Sequence, residues 1–260
     1  MNPVIRVDVL GVGISVINLQ LATEIISSAP NRPQQCGYVT VTGVHGVMES
    51  QQDPELKSIH NRSFLSVPDG MPMVWVGKWH GFKEMGRVYG PDLMLAVMQR
   101  SCVTKQKHFL FGGGDGVVGK LATKLEEKFE SVSIVGKNTP PFRPLSQQEE
   151  ESLFYELQSS RPHFFWVGLS TPKQERFMSA FLDKYPDLTQ AWDHGMVMLG
   201  VGAAFDFHAG LVPQAPSWMQ QRGLEWLFRL FKEPKRLWRR YLYNNPRFII
   251  AILLQKAGIR

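Results

Sequence analysis

Short, continuous apolar segments alternating with stretches of helical periodicity predict an α/β fold: a mostly parallel sheet flanked by helices, with a C-terminal basic amphipathic helical appendage. Three observations carry this. The apolar runs are β-branched and unbroken, as in strands covered on both faces. Several of them end in Gly, Ser or Thr directly before a helical pattern. Near residue 217 the composition changes, and Gly-rich sequence gives way to Trp, Arg and Lys.

In chain order, the expected strands are VDVLGVGI (7–14), YVTVTGV (38–44), FLSV (64–67), HFLFGG (108–113), VSIVG (132–136), HFFWVGL (163–169) and MVMLGVGAAF (196–205). Between them LQLATEIISS, PDLMLAVMQRS, GVVGKLATKLEEKF, SQQEEESLFYELQSS and PKQERFMSAFLDKY carry the i, i+3, i+4 spacing of helices. The expected organisation is a catalytic domain over 1–217 and a helical appendage over 218–260. No internal repeat or low-complexity segment interrupts it.

The chain has 260 residues, 43% of them hydrophobic, enough for one large core or two small ones. Its two cysteines, Cys36 and Cys102, have no CxxC spacing, and no His cluster has ligand spacing; this argues against a disulfide framework and a structural zinc site and fits a reducing compartment. The N-terminus lacks the pattern of a signal peptide and reads as a first strand. The apolar run FIIAILL (248–254) is far shorter than the roughly 20 residues that span a bilayer. The net charge of +6 is unevenly placed: from Trp218 onward ten basic residues face two acidic ones, Glu225 and Glu233, so the whole excess belongs to the tail. A negatively charged partner is expected there.

Several strand ends bear polar groups. FLFGGGDGVVGKLATKL (109–125) is a strand, a glycine turn and a helix; it matches neither a P-loop nor GxGxxG, and its glycines suit phosphate binding or helix packing equally. SVPDGMPMVW (66–75) puts Asp69 in a Pro-Asp-Gly turn after a strand, where an Asx-turn or a general base would stand. GRVYGPDLM (86–94) sets Arg87 and Asp92 around Gly90 and Pro91; Asp92 suits a helix cap, and Arg87 a phosphate, a carboxylate or an ion pair. In GLSTPKQE (168–175), Pro172 suits a first helical position with Ser170 or Thr171 as cap, Gln174 suits polyol recognition, and Glu175 can close a capping box. GVGAAFDFHAG (200–210) presents Asp206 and His208 at a strand end, and VTVTGVHGVMES (39–50) presents Thr40, Thr42 and His45.

Taken in order, VTVTGVHGVMES, VPDGMPMVW, GRVYGPDLM, FLFGGGDGVV, WVGLSTPKQE, GVGAAFDFHAG and GLEWLFRLFKEPKRLWRRYL resemble the WecG/TagA/CpsF glycosyltransferases, glycosyltransferase family 26, over nearly the whole chain. The resemblance implies a Rossmann-like enzyme, free of cofactor and metal, that transfers a sugar with inversion. The donor it implies is a UDP-sugar, typically UDP-N-acetylmannosamine, and the acceptor a polyprenyl-diphosphate-linked sugar in cell-surface polysaccharide synthesis. It implies Asp69 as general base and Arg87 as stabiliser of the leaving diphosphate. It matches Gln174 and Thr40 to the family's substrate contacts; the further substrate-binding residues expected from the strand-end motifs are Thr42, His45, Gly90, Asp92, Gly113, Gly168, Lys173, Glu175 and Asp206. The chain departs from the family pattern after the second strand, where TVTGVH stands for T-P-N, and after Asp206, where Val212-Pro213-Gln214-Ala215-Pro216 stands for K-R-A-P. UDP-glucose or a UDP-uronic acid therefore remain alternative donors.

On a helix starting at Pro234, Leu237, Trp238, Tyr241 and Leu242 share one arc and Arg236, Arg239, Arg240 and Tyr243 the other. With Arg222 and Arg229 this predicts a surface for anionic headgroups and the acceptor diphosphate, placing the protein peripherally on the cytoplasmic face of a bacterial inner membrane. The alternatives are a helix packed on the core with a solvated basic face, and a nucleic-acid-binding tail; nucleic acid is not the expected partner, and a homo-oligomer is compatible with either. A nucleotide-dependent oxidoreductase is disfavoured because the glycine turn lies in the wrong part of the chain for a dinucleotide fingerprint. The enzyme reading expects Asp69, Arg87 and Gln174 around a single cleft.

Overall fold

A computed structural model describes residues 4–259; the side chain of Arg236 lies outside the described residues. The chain runs β1 (Arg6–Val9), β2 (Val12–Ser15), α1 (Leu19–Ser28), β3 (Cys36–Thr42), α2 (Val44–Glu49), α3 (Pro54–Arg62), β4 (Leu65–Pro68), α4 (Met71–Trp79), α5 (Gly90–Thr104), β5 (Lys107–Gly112), α6 (Val117–Lys128). It continues with β6 (Ser133–Asn138), α7 (Gln147–Ser160), β7 (Phe164–Gly168), α8 (Lys173–Lys184), β8 (Met196–Gly200), α9 (Ala204–His208), α10 (Ser217–Gln221), α11 (Glu225–Lys232) and α12 (Pro234–Lys256). Six strands form one sheet in the order β4-β3-β8-β7-β5-β6, with parallel pairing at β3/β8, β8/β7, β7/β5 and β5/β6. This is the expected Rossmann-like α/β arrangement.

Two expected strands are corrected. Residues 7–14 are not one strand: Leu10 and Gly11 have φ of 56° and 82°, so the segment folds into an antiparallel β1/β2 hairpin outside the main sheet. Two successive positive φ values are what a tight, right-twisted hairpin requires. Residues 196–205 are a strand only to Gly200; Ala204 starts a short helix, because the chain turns at Gly202.

The chain divides into two compact units, Met1–Leu19 with Val41–Tyr89 and Gln214–Arg260, and Gln20–Thr40 with Gly90–Pro213. In the first, the hairpin buries Val7, Val9, Val12 and Ile14 with Val47, Met73, Val76 and Met85, and α12 adds Phe248, Ala251 and Ile252 to the same cluster. Arg6 closes this unit from the side, donating to the carbonyls of His60, Asn61 and Ser63 at the end of α3. Carbonyls at a helix C-terminus run short of amide donors, and the guanidinium fork adds to the Ser63 amide and hydroxyl that already reach the His60 carbonyl.

In the second unit the strands are nearly all core. Phe109, Phe111, Phe165 and Trp166 are at most 1% exposed, and Phe111 stacks on Phe177 of α8 at 4.8 Å. Each such ring contributes on the order of 2 kcal/mol by burial alone. The connection after β5 leads outward to β6, whereas the connection after β7 leads the other way to β8. The carboxyl ends of β5 and β7 are therefore a topological switch point, where open α/β sheets bind ligands.

Candidate active site

The first unit holds the Pro-Asp-Gly turn. β4 ends at Pro68, Gly70 takes φ +83°, and α4 begins at Met71 with Pro72 in its first turn. Only glycine adopts that φ readily, so the dipeptide fixes Asp69 between strand and helix. The Asp69 amide donates to the Thr42 carbonyl at 3.0 Å, and the Val88 amide to the Pro68 carbonyl at 2.8 Å. Asp69 is partly buried as a residue, and protein closely surrounds its carboxyl. Desolvation, reinforced by the Glu225 carboxylate, pushes its pKa up to about 7 against the pull of Arg87, Arg229 and Arg240. A carboxyl group poised there is a serviceable general base at neutral pH.

Arg87 is gripped from the C-terminal segment. Its Nη1 donates to Glu225 Oε2 at 3.1 Å and its Nη2 to Gln220 Oε1 at 2.6 Å, while the guanidinium lies 4.5 Å from the centre of the Tyr89 ring. Burial and the negative charge of Glu225 raise the Tyr89 pKa. Nothing in the local sequence around Arg87 announced these partners; the one signal is that Glu225 is a rare carboxylate in a strongly basic tail.

The neighbouring candidates in this unit are engaged by protein. Thr42 is fully buried, with its hydroxyl 2.8 Å from Ser66 Oγ and 3.2 Å from His60 Nδ1. Burial lowers the pKa of His60 to about 4, so this cluster stays neutral. His45 lies on α2, its Nδ1 3.2 Å from Asn244 Nδ2 and 3.5 Å from Glu49 Oε1. Of the tail cations, Arg229 and Arg240 are half-buried and act on Asp69, whereas Arg222 and Arg239 are exposed beside Trp218 and Trp238. The two arcs expected on α12 are therefore corrected: Leu237 and Arg240 turn inward, and Trp238, Leu242 and Tyr243 are exposed.

The second unit carries the switch-point residues. Gly112 pairs with Gly168 across β5/β7, and the Gly113 amide donates to the Gly168 carbonyl at 3.0 Å. A Cβ on Gly112 would lie 2.6 Å from the Gly168 backbone, and Gly112 has φ +136°, so glycine is required there for close approach. Gly168 itself abuts the Phe205 ring and Gly113 abuts Val117, which gives both a packing role.

After β7 the expected cap is corrected. Pro172 occupies the N-cap position without a side-chain hydrogen bond, and the helix begins at Lys173. Glu175 is fully buried; its Oε1 accepts from the Thr171 hydroxyl at 2.9 Å and from Gln174 Nε2 at 3.1 Å, instead of closing a capping box onto the backbone. Gln174 Nε2 also donates to the Gly200 carbonyl at 3.2 Å. Both amide hydrogens are thus committed, and the buried Oε1 has no hydrogen-bond partner. That leaves a lone acceptor awaiting an O–H or N–H donor. Lys173 is exposed.

Thr40 is fully buried in β3. Gly90 is buried at the start of α5, with Asp92 in its first turn. His208 Nε2 lies 3.0 Å from the Pro91 carbonyl, and burial lowers the His208 pKa. Asp206 lies in α9 and its backbone carbonyl accepts from Leu211. Asp69 and Arg87 belong to one unit and Gln174 to the other.

A parallel α/β sheet with polar groups on its strand-end loops defines an enzyme of the Rossmann-like class. The chain belongs to the glycosyl transferase WecG/TagA/CpsF family, whose model matches residues 7–260, and is a glycosyltransferase. Among curated proteins it is similar to the N-acetylglucosaminyldiphosphoundecaprenol N-acetyl-beta-D-mannosaminyltransferase of Bacillus spizizenii, 26% identical over 205 residues, which cover 79% of this chain and 74% of that protein. Among the described residues no helix is long and apolar enough to cross a membrane.

Proposed function

We propose that the protein transfers N-acetylmannosamine from its UDP derivative to a polyprenyl-diphosphate-linked sugar, inverting the anomeric centre. The observation that carries this reading is Asp69, a partly buried residue held at a strand end by the Pro-Asp-Gly turn, with its pKa pushed up to about 7. The acceptor hydroxyl oxygen attacks the sugar C1, the C1–O bond to UDP breaks, and the hydroxyl proton passes to Asp69. One displacement of this kind inverts configuration. Arg87 offsets the charge that grows on the departing diphosphate, and donors placed in advance at such a point are often the largest contribution to catalysis. Gln174 Oε1 is an acceptor for a substrate hydroxyl or amide N–H, and His45, Asp92, Asp206 and Lys173 are the further residues proposed for substrate binding.

Family membership and the printed activity of the Bacillus relative support the substrate class. The tail supplies the membrane side of the reading. Arg222 and Arg239 are exposed, as are Trp218, Phe231, Trp238, Leu242 and Tyr243, and this mixture of cations with apolar and aromatic groups suits an anionic bilayer surface where a lipid-linked acceptor resides. The protein would then work from the cytoplasmic face.

The test is a panel of UDP-sugars, with UDP-glucose and a UDP-uronic acid beside UDP-N-acetylmannosamine, offered with a short-chain prenyl-diphosphate N-acetylglucosamine acceptor and read by UDP release. Acceptor-dependent release from UDP-N-acetylmannosamine alone supports the reading. Release only from another sugar nucleotide replaces the donor, and none from any overturns the reaction.

A further inference from the structure

We propose that Glu225 is a positioning residue of the transfer site, acting through Arg87 and through Asp69. The inference rests on the reading of Asp69 as the base and Arg87 as the diphosphate contact, and it adds a residue from the C-terminal segment to that pair.

The geometry is specific. Arg87 spends one terminal nitrogen on Glu225 at 3.1 Å and the other on Gln220 at 2.6 Å, with its plane over Tyr89. The two charged side chains are only 15% and 18% exposed, so the pair is held where solvent screens it poorly. Burial and the same carboxylate raise the Tyr89 pKa. A guanidinium is a rigid planar fork, so two fixed partners set the plane in which it can face a phosphate. Glu225 is itself fixed: Gly223, at φ +72°, packs its backbone against Trp75 and Met71, at the start of the helix that follows the Asp69 turn.

Asp69 is faced by Arg87, Arg229 and Arg240, by Tyr89 and Tyr241, and by the Glu225 carboxylate. After burial itself, Glu225 is the next cause that raises the Asp69 pKa against the three cations. A merely structural glutamate would leave the ionisation of Asp69 alone.

The experiment compares the wild type with Glu225→Gln and Glu225→Asp in two measurements. The first follows the Asp69 carboxyl by carbon-13 NMR titration in substrate-free protein, the resonance being assigned from its loss in Asp69→Asn. The second records kcat/KM against pH with UDP-N-acetylmannosamine and the short-chain acceptor. Glu225→Gln should move both the titration and the acid limb to lower pH and raise the donor KM on the order of tenfold, the equivalent of one lost charge-assisted hydrogen bond. Glu225→Asp keeps the charge and should leave the titration in place while the KM rises. A titration unmoved in Glu225→Gln, or moved equally in both variants, overturns the proposal. Retained transfer by Asp69→Asn instead overturns the reading on which it rests, so the two failures are distinguishable.

Discussion

The Val88 amide donates to the Pro68 carbonyl at 2.8 Å, which ties the backbone beside Arg87 to the backbone beside Asp69. In the proposed transfer the base stands at the attacking hydroxyl and the cation at the departing diphosphate, on opposite sides of C1, and effective molarity falls steeply when such groups drift. Here the backbone sets their separation, and the Glu225 and Gln220 side chains hold the guanidinium at the far end.

Burial of Asp69 has a stability consequence with a definite sign. Its folded pKa, about 7, lies above the ordinary carboxylate value, so the folded state binds the proton more tightly. The resulting stability is fully present below about pH 4 and lost as pH rises through 7. Asp69→Asn should therefore match the wild type at pH 4 and exceed it at pH 8 by about 1–3 kcal/mol. Denaturant melts at the two pH values check this, and equal stability at both contradicts it.

At the switch point, Gly112→Ala should destabilise the fold by about 1–3 kcal/mol, because the added methyl meets the Gly168 backbone at 2.6 Å and φ is +136°. A drop of several degrees in thermal midpoint is the expected reading. An unchanged midpoint would show that β5 and β7 yield at their carboxyl ends.

Gln174→Met should lower kcat/KM by roughly 10–100-fold, since the lone Oε1 acceptor is lost. The thermal midpoint should also fall, because the same change takes the Nε2 donor from the buried Glu175 carboxylate and from the Gly200 carbonyl, so turnover is compared at a temperature where the variant is folded. Unchanged turnover would take Gln174 out of substrate binding.

Removing residues 218–260 should unfold the first unit, because Phe248, Ala251 and Ile252 share a core with the β1/β2 hairpin. Membrane binding is better tested by Arg222→Ser with Arg239→Ser, both exposed. At about 1 kcal/mol per cation, the pair should cut sedimentation with phosphatidylglycerol vesicles on the order of tenfold and leave neutral vesicles unaffected. Equal binding by the double variant would separate the tail cations from the membrane.

The α/β layering was legible because covered strands such as FFWVG at Phe164–Gly168 are continuous apolar runs with glycine at the end. The first hairpin was not, since VDVLGVGI is apolar throughout and its turn depends on Leu10, a residue that rarely takes positive φ. Asp69 stood out through its Pro-Asp-Gly setting. Glu225 did not, because its partner Arg87 lies 138 positions away and only the folded chain brings them together. Likewise the tail read as one cationic surface for headgroups, whereas Arg240 is half-buried and its charge acts on Asp69.

The base assignment is tested most directly by the rate of UDP release against pH from 5 to 9, for the wild type and Asp69→Asn, with donor and acceptor at low concentration. The expected result is a single ionisation near pH 7 in kcat/KM for the wild type, with activity rising as pH rises, and a loss of about 10²–10⁴-fold in the variant. A flat profile with an active Asp69→Asn would contradict it.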